Sequence, residues 1–220
     1  METDGGTNIL IDTPPELRLQ LIAAGVSRVN AILFTHDHAD HVHGIDDIRA
    51  LSDRSDVPID MFGPPDTMQR LARRFAYIFD DSIKALPGTS KPEGRAHPVV
   101  EGQTIRIGDV DVTPVAVPHG PISVYGYRIG NLGYITDAKE LPDEAVRGFR
   151  GVSVLVLNAL FRTPHPTHLS VSEAVTVAKK VGAPQTWLTH LTHRTGHAEL
   201  EAELPSGIAP AFDGLTVQIP

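Results

Sequence analysis

Apolar residues recur along this chain in short runs, each closed by a polar or turn-forming residue. Runs at Asn8–Asp12, Val29–Thr35, Ile59–Phe62, Thr104–Ile107, Val110–Val117, Tyr125–Ile129, Gly133–Thr136, Val152–Leu157 and Thr186–Thr189 have the length and β-branched content of strands. Between them, Pro15–Ala24, Ile45–Leu51, Thr67–Asp80 and Val171–Val181 carry apolar residues at helical spacing. Ser170-Val171-Ser172-Glu173 predicts a capping box opening the last helix, and Pro14, Pro15 and Gly25 suit the two ends of the first. Strands interleaved with helices predict a layered α/β fold. Leu86–Arg95 is the most linker-like stretch and is expected as a surface loop between two halves of one domain spanning residues 1–220.

The polar residues that close the strands carry the chemistry. Val29–Phe34 runs into Thr35-His36-Asp37-His38-Ala39-Asp40-His41, three imidazoles and a carboxylate in an HxHxDH arrangement. Two residues apart in extended chain, His36 and His38 share a side, and the turn that follows aims Asp40 and His41 elsewhere. Imidazole plus carboxylate is the donor set of Zn²⁺, Mn²⁺ or Fe²⁺, and packing gives little reason for so dense a cluster. Val115–Pro118 likewise leads to His119, Gly133–Thr136 to Asp137, and Trp187–Thr189 to His190. Strand ends that share a sheet edge are where α/β proteins place their sites.

Composition narrows the chemistry further. Without cysteine, a disulfide framework, a thiolate zinc site and a thiol nucleophile are excluded. A net charge of −8 argues against a general nucleic-acid binder, whose phosphate contacts need Lys and Arg. No apolar run approaches the ~18 residues of a membrane span, and the first residues lack the basic and apolar regions of a secretory signal. A cytoplasmic protein is expected, with a homodimer as the default oligomer.

These motifs, in this order and over almost the whole chain, resemble the metallo-β-lactamase-fold hydrolases. The resemblance implies a four-layer αβ/βα sandwich and two divalent metal ions. It assigns His36, His38 and His119 to one ion, Asp40, His41 and His190 to the other, and Asp137 to a bridge. THDHADHVHGIDDIR, Arg74–Phe79, Asn158–Ser170 and Leu188–His193 together are similar to the cyclic phosphodiesterase of the bacterial carbon–phosphorus lyase pathway and its relatives. That implies a phosphodiesterase opening a small cyclic phosphate ester on a phosphorylated metabolite, by attack of a hydroxide held between the metals. Asp40 and His168 are then the candidate catalytic residues, His168 protonating the leaving oxygen. Other esters (RNA 3′ ends, a lactone, a thioester) and a weakly catalytic metal-binding protein are the alternatives.

Around that set, Asp12, closing Ile9–Ile11, is expected to orient a ligand imidazole or to cap its strand. His43 is expected near the site, and His193 behind the ligands or in solvent. Asp46 and Arg49 are spaced for an ion pair, and Arg70, Arg73 and Arg74 for a solvated basic face. The chain departs from the family in two ways. It begins almost at the Asn8–Asp12 strand, so either the start is misassigned or an edge strand is missing, and a missing strand would leave an association surface. It also lacks the cysteines that help hold the cyclic phosphodiesterase's accessory zinc.

Overall fold

The computed structural model describes residues 1–55 and 57–220. The elements in chain order are β1 (Ile9–Ile11), α1 (Leu17–Ala23), β2 (Ala31–Leu33), α2 (Ala39–Val42), a 3₁₀ turn at Ile45–Ile48, α3 (Arg49–Ser55), β3 (Ile59–Gly63), α4 (Pro65–Arg74), α5 (Ala76–Phe79), β4 (Gly94–Pro98), β5 (Ile105–Ile107), β6 (Val110–His119), β7 (Ile122–Ile129), β8 (Leu132–Ile135), α6 (Asp143–Phe149), β9 (Val154–Asn158), α7 (Val171–Val181), β10 (Gln185–Thr189), α8 (His197–Glu203) and β11 (Ile208–Pro210). They form two compact units. The first holds residues 1–100 and 106–110, the second 101–105 and 111–220.

The first unit is built on a parallel sheet in the order β1-β2-β3-β4. Both faces of β2 are covered, so Ala31, Ile32 and Leu33 are all buried and the strand is a continuous apolar run. Phe34, Val42, Ile45, Ile48, Met61, Met68 and Leu71 complete the core around it. Outside β1, the Ile9 amide donates to the Met1 carbonyl (2.9 Å) and the Met1 amino group to the Ile9 carbonyl (2.7 Å). The chain's own first residues therefore line the edge that sequence left bare.

In the second unit the sheet order is β11-β10-β9-β8-β7-β6, with β5 beyond β6. The strands β8, β9, β10 and β11 run parallel, and β7 is antiparallel to both β6 and β8. The helix α7 packs Ala174, Val177, Ala178 and Val181 into a core with Val117, Ile135, Phe149, Leu155, Leu157 and Leu188. Its capping box is formed, with Glu173 on the Ser170 amide and Gly182 closing the helix at φ 76°.

Several elements differ from the sequence pattern for physical reasons. The expected Thr67–Asp80 helix is two, because Phe75 leaves helical geometry at φ −124° and ψ 44°. It also begins earlier, since Pro65 fills the first helical position, where no amide bond is lost. Ile45–Leu51 opens as a 3₁₀ turn before α3. The strand β4 (Gly-Arg-Ala-His-Pro) escapes a propensity reading because Gly and Pro are poor strand formers, tolerated at a sheet edge. It takes in the last two residues of Leu86–Arg95, and that whole stretch lies within the first unit. Among the described residues, no helix is long and apolar enough to cross a membrane.

Candidate functional site

Parallel pairing determines what meets at the carboxyl edge of the first sheet. Ile11 sits in register with Leu33, so the residues following β1 and β2 emerge side by side. The Asp12 amide donates to the Leu33 carbonyl, and Asp12 takes φ 58°, a left-handed conformation that Asp tolerates better than most residues. From there its buried carboxylate accepts from the Thr35 amide and the Thr35 hydroxyl (both 2.8 Å) and from His41 Nδ1 (2.7 Å). Burial pushes the Asp12 carboxyl up, and the His41 and Thr35 hydrogen bonds work against that rise.

One buried carboxylate thereby orients two imidazoles. Because the Thr35 hydroxyl proton points to Asp12, its oxygen is left to accept from His36 Nδ1 at 2.9 Å. His36 and His41 each carry their proton on Nδ1, and both present Nε2, the arrangement in which an imidazole ligates a metal. The His36 ring lies 4.4 Å from that of His38 and 4.2 Å from that of His41. The exposed Asp40 carboxylate is 3.5 Å from His41 Nε2. Glycine is required at position 44, where a Cβ would collide with the Pro14 carbonyl and the Leu17 side chain. This close approach lets Gly44 N–H bond Thr13 and Thr13 N–H bond the His41 carbonyl, closing the motif against the loop after β1.

The second unit gathers its donors from four strands. With β7 antiparallel to its neighbours, β6, β8, β9 and β10 all point the same way, and His119, Asp137, Asn158 and His190 lie at or just past their carboxyl ends. His119 Nδ1 donates to the Thr167 carbonyl (2.9 Å), which leaves Nε2 as the lone-pair nitrogen, 3.7 Å from Asp137 Oδ2. Asp137 is also 3.0 Å from His168 Nε2 and 3.6 Å from His190 Nε2. Donor atoms of Asp137, His168 and His190 fall within 4.8 Å of one another, a spacing that fits a metal ion. His190 adopts φ 59°, the second left-handed non-glycine residue in the described chain. Strained backbone of this kind persists where the surroundings hold it, commonly at functional sites.

Two contributors here gave only a weak signal in the sequence. Asn158, fully buried, accepts from the Ala138 amide (2.9 Å) and donates to the Ala138 carbonyl (3.0 Å), bracing the peptide next to Asp137. Its signal was its position, since a polar residue closing an all-apolar strand run needs partners when buried. His165 lies against His168 (Nδ1 to Nδ1, 3.3 Å), and Thr167 Oγ1 contacts both rings. Burial, then the neighbouring His168 and Lys139, lower the His165 imidazole from its ordinary value.

The remaining sequence candidates fall outside these clusters. His193 is exposed and belongs to none of the donor groups among the described residues. His43 is exposed too, its Nε2 accepting from Arg74 (2.9 Å). Asp46 and Arg49 form the expected ion pair (2.8 Å), which Tyr77 joins through its hydroxyl at 2.9 Å.

Comparison with known proteins places this donor set in context. Residues 7–191 match the family model of the beta-lactamase superfamily domain. A solved structure of a diphosphatase from the PhnP family superposes with a TM-score of 0.87 at 36% identity, covering 97% of this chain and 80% of that one. Ribonuclease Z of Bradyrhizobium sp. (strain ORS 278) is 28% identical over 97% of this chain and 91% of its own length. An octanoyltransferase of Porphyromonas gingivalis (strain ATCC BAA-308 / W83) is 32% identical over 97% of this chain, which spans only 42% of that protein. Metallo-β-lactamase-fold hydrolases use divalent metals, and the histidine and aspartate clusters described above have the donor chemistry for them. With the family model matched from residue 7 to residue 191, the chain belongs to the beta-lactamase superfamily, as a metal-dependent hydrolase of the metallo-β-lactamase fold.

Proposed function

We propose that the protein is a phosphodiesterase, acting on a small cyclic or otherwise phosphorylated metabolite with two divalent metal ions, Zn²⁺ or Mn²⁺ and secondarily Fe²⁺. The observation that carries this reading is the likeness to the PhnP-family diphosphatase over nearly the whole chain, joined to a donor set of imidazole and carboxylate. In this reading His36, His38 and His119 serve one ion, Asp40, His41 and His190 the other, and Asp137 both. Bound there, the metals would supply positive charge to phosphate oxygens and make water nucleophilic near neutral pH.

The chain's own residues do the rest. Asp12 and Thr35 fix the protons of His41 and His36 on Nδ1, and the Thr167 carbonyl does so for His119. His168 holds a proton on Nε2, where it donates to Asp137, and Thr167 Oγ1 lies 2.8 Å from its Nδ1. That Nε2 proton is the one available to a departing alkoxide. His168→Ala should therefore lower kcat by about 10²–10⁴ on an alkyl phosphodiester and much less on a nitrophenyl ester, whose leaving group needs no proton.

A panel of bis-p-nitrophenyl phosphate, a sugar 1,2-cyclic phosphate and a tRNA precursor, assayed with Mn²⁺ or Zn²⁺, tests the reading. Turnover of the first two, abolished in His38→Ala, supports it. The likeness to ribonuclease Z favours a second reading, cleavage of an RNA phosphodiester. The net charge of −8 opposes it, because RNA backbones are gripped by cations. Cleavage of the precursor alone would establish that second reading, and turnover of none of the three would overturn both.

A further inference from the structure

Arg70 and Arg74, one helical turn apart on α4, face the same way and converge on Asp37, the residue between His36 and His38. Arg70 Nε lies 2.9 Å from Asp37 Oδ2, and Arg74 Nη1 lies 3.4 Å from the same oxygen. Arg74 Nη1 also donates to the Asp37 backbone carbonyl at 2.9 Å, while its Nη2 reaches His43 Nε2 at 2.9 Å. The expected solvated basic face is thus two-thirds committed, and Arg73 alone of the three makes no such contact among the described residues.

An ordinary surface ion pair holds little, because water competes and long side chains resist ordering. This one differs in geometry. The Asp37 side chain is only 16% exposed and receives two guanidinium groups, and one of these also bonds the peptide carbonyl between the two histidines. That peptide lies in the short crossing from β2 to α2, where the chain belongs to neither element. Guanidinium groups beside a cation site are electrostatically unfavourable, so their presence calls for a compensating role.

We propose that Asp37, gripped by Arg70 and Arg74, is a positioning residue that holds the His36 and His38 imidazoles at metal-binding geometry. It rests on the reading that these histidines ligate a divalent ion. Helix α4 then serves as the rigid post to which the ligand loop is tied, and His43 steadies Arg74 from the other side.

The test is a Co²⁺ titration of the full chain after chelator treatment, followed by the visible absorption of the bound ion, with thermal unfolding of the metal-free protein as a folding check. For Arg74→Gln, positioning and simple electrostatics predict opposite signs, whereas for Asp37→Asn both predict weaker binding. If the arginines act only as charges, Arg74→Gln removes a repulsive cation and tightens Co²⁺ binding. If they hold the loop, Arg74→Gln and Asp37→Asn both weaken it by about ten- to hundredfold and alter the spectrum, as loss of a partner behind a ligand does. Should Arg74→Gln fail to fold, Arg74→Lys keeps the charge and loses the fork, and weakening is required there too. Unchanged or tighter binding in the folded variants overturns the clamp. A wild-type chain that binds no Co²⁺ overturns instead the metal reading beneath it.

Discussion

The two donor clusters are oriented by different means. In the first unit His36, His38, Asp40 and His41 lie within six residues, and side chains brace the segment: Asp12 and Thr35, just past β1 and β2, and Arg70 and Arg74 from α4. In the second, His119, Asp137, His168 and His190 span 72 positions, and the supports are the Thr167 carbonyl and the Asn158 amide on a peptide next to Asp137. The segment from His36 through α2 has no sheet ladder to hold it, and side-chain struts add to the backbone bonds that close it against Thr13. His119, Asp137 and His190, at or just past strand ends, inherit their positions from the sheet, whereas His168 lies between β9 and α7 and is met by the Thr167 hydroxyl. Substitutions in the first unit should therefore act on metal affinity, and those in the second on stability.

The largest expected effect is in the second unit. Asn158→Leu leaves the buried Ala138 amide without its partner, at about 1–3 kcal/mol, while the Ala138 carbonyl keeps the Leu169 amide (2.7 Å). A loss of about 1–3 kcal/mol in chemical denaturation of the metal-free chain is expected. A neutral result would mean that Asn158 does not brace Asp137, and the contrast between units would fail on that side.

In the first unit Asp12→Asn is the sharper probe. Asn accepts the left-handed backbone at φ 58° as readily as Asp does, so the fold is spared. Its amide cannot accept from His41 Nδ1 and both Thr35 donors with the capacity of a carboxylate. Metal affinity should fall about ten- to hundredfold, with only a modest drop in the unfolding midpoint of the metal-free chain, because relief from burying a charge offsets part of the cost of the donor left unpaired. A large stability loss with unaltered affinity would reverse the assignment.

The difference between the units also explains what sequence conveyed. HxHxDH is legible because its donors are adjacent, and α7 because its capping residues and apolar period agree. His119, Asp137 and His190 were visible only as polar residues ending apolar runs, a pattern that means something once several strands share an edge. Asn158 and His165 stood out only weakly because their roles depend on partners 20 positions away in Ala138 and three away in His168, neither of which periodicity reveals. The strand β4 was missed because Gly94 and Pro98 have poor strand propensity, and pairing with β3 overrides it. The basic stripe on α4 was read as solvent-facing because the loop it grips is 33 residues earlier in the chain, from Asp37 to Arg70.

Smaller effects refine the second unit. Ser170→Ala removes the α7 cap and should cost about 1 kcal/mol, read as a lower unfolding midpoint. Burial raises the Glu173 carboxyl, but donors from Lys139 and Ser170 outweigh it and hold the group at about 2, below its ordinary 4.5. A carboxyl depressed on folding stabilises the native state above its unfolded value, and that contribution is lost as pH falls through the folded one. The wild type's stability advantage over Glu173→Gln should thus be full above pH 4.5 and shrink toward pH 2. It is the smallest effect of the four, since the side chain is 37% exposed.

The most direct test of the central claim is metal content. Elemental analysis of the purified chain, beside His38→Ala, should give about two divalent ions per chain and fewer in the variant, if both clusters ligate metal. A chain that retains no divalent metal after exposure to Zn²⁺ or Mn²⁺, or one whose content is indifferent to His38, would contradict it.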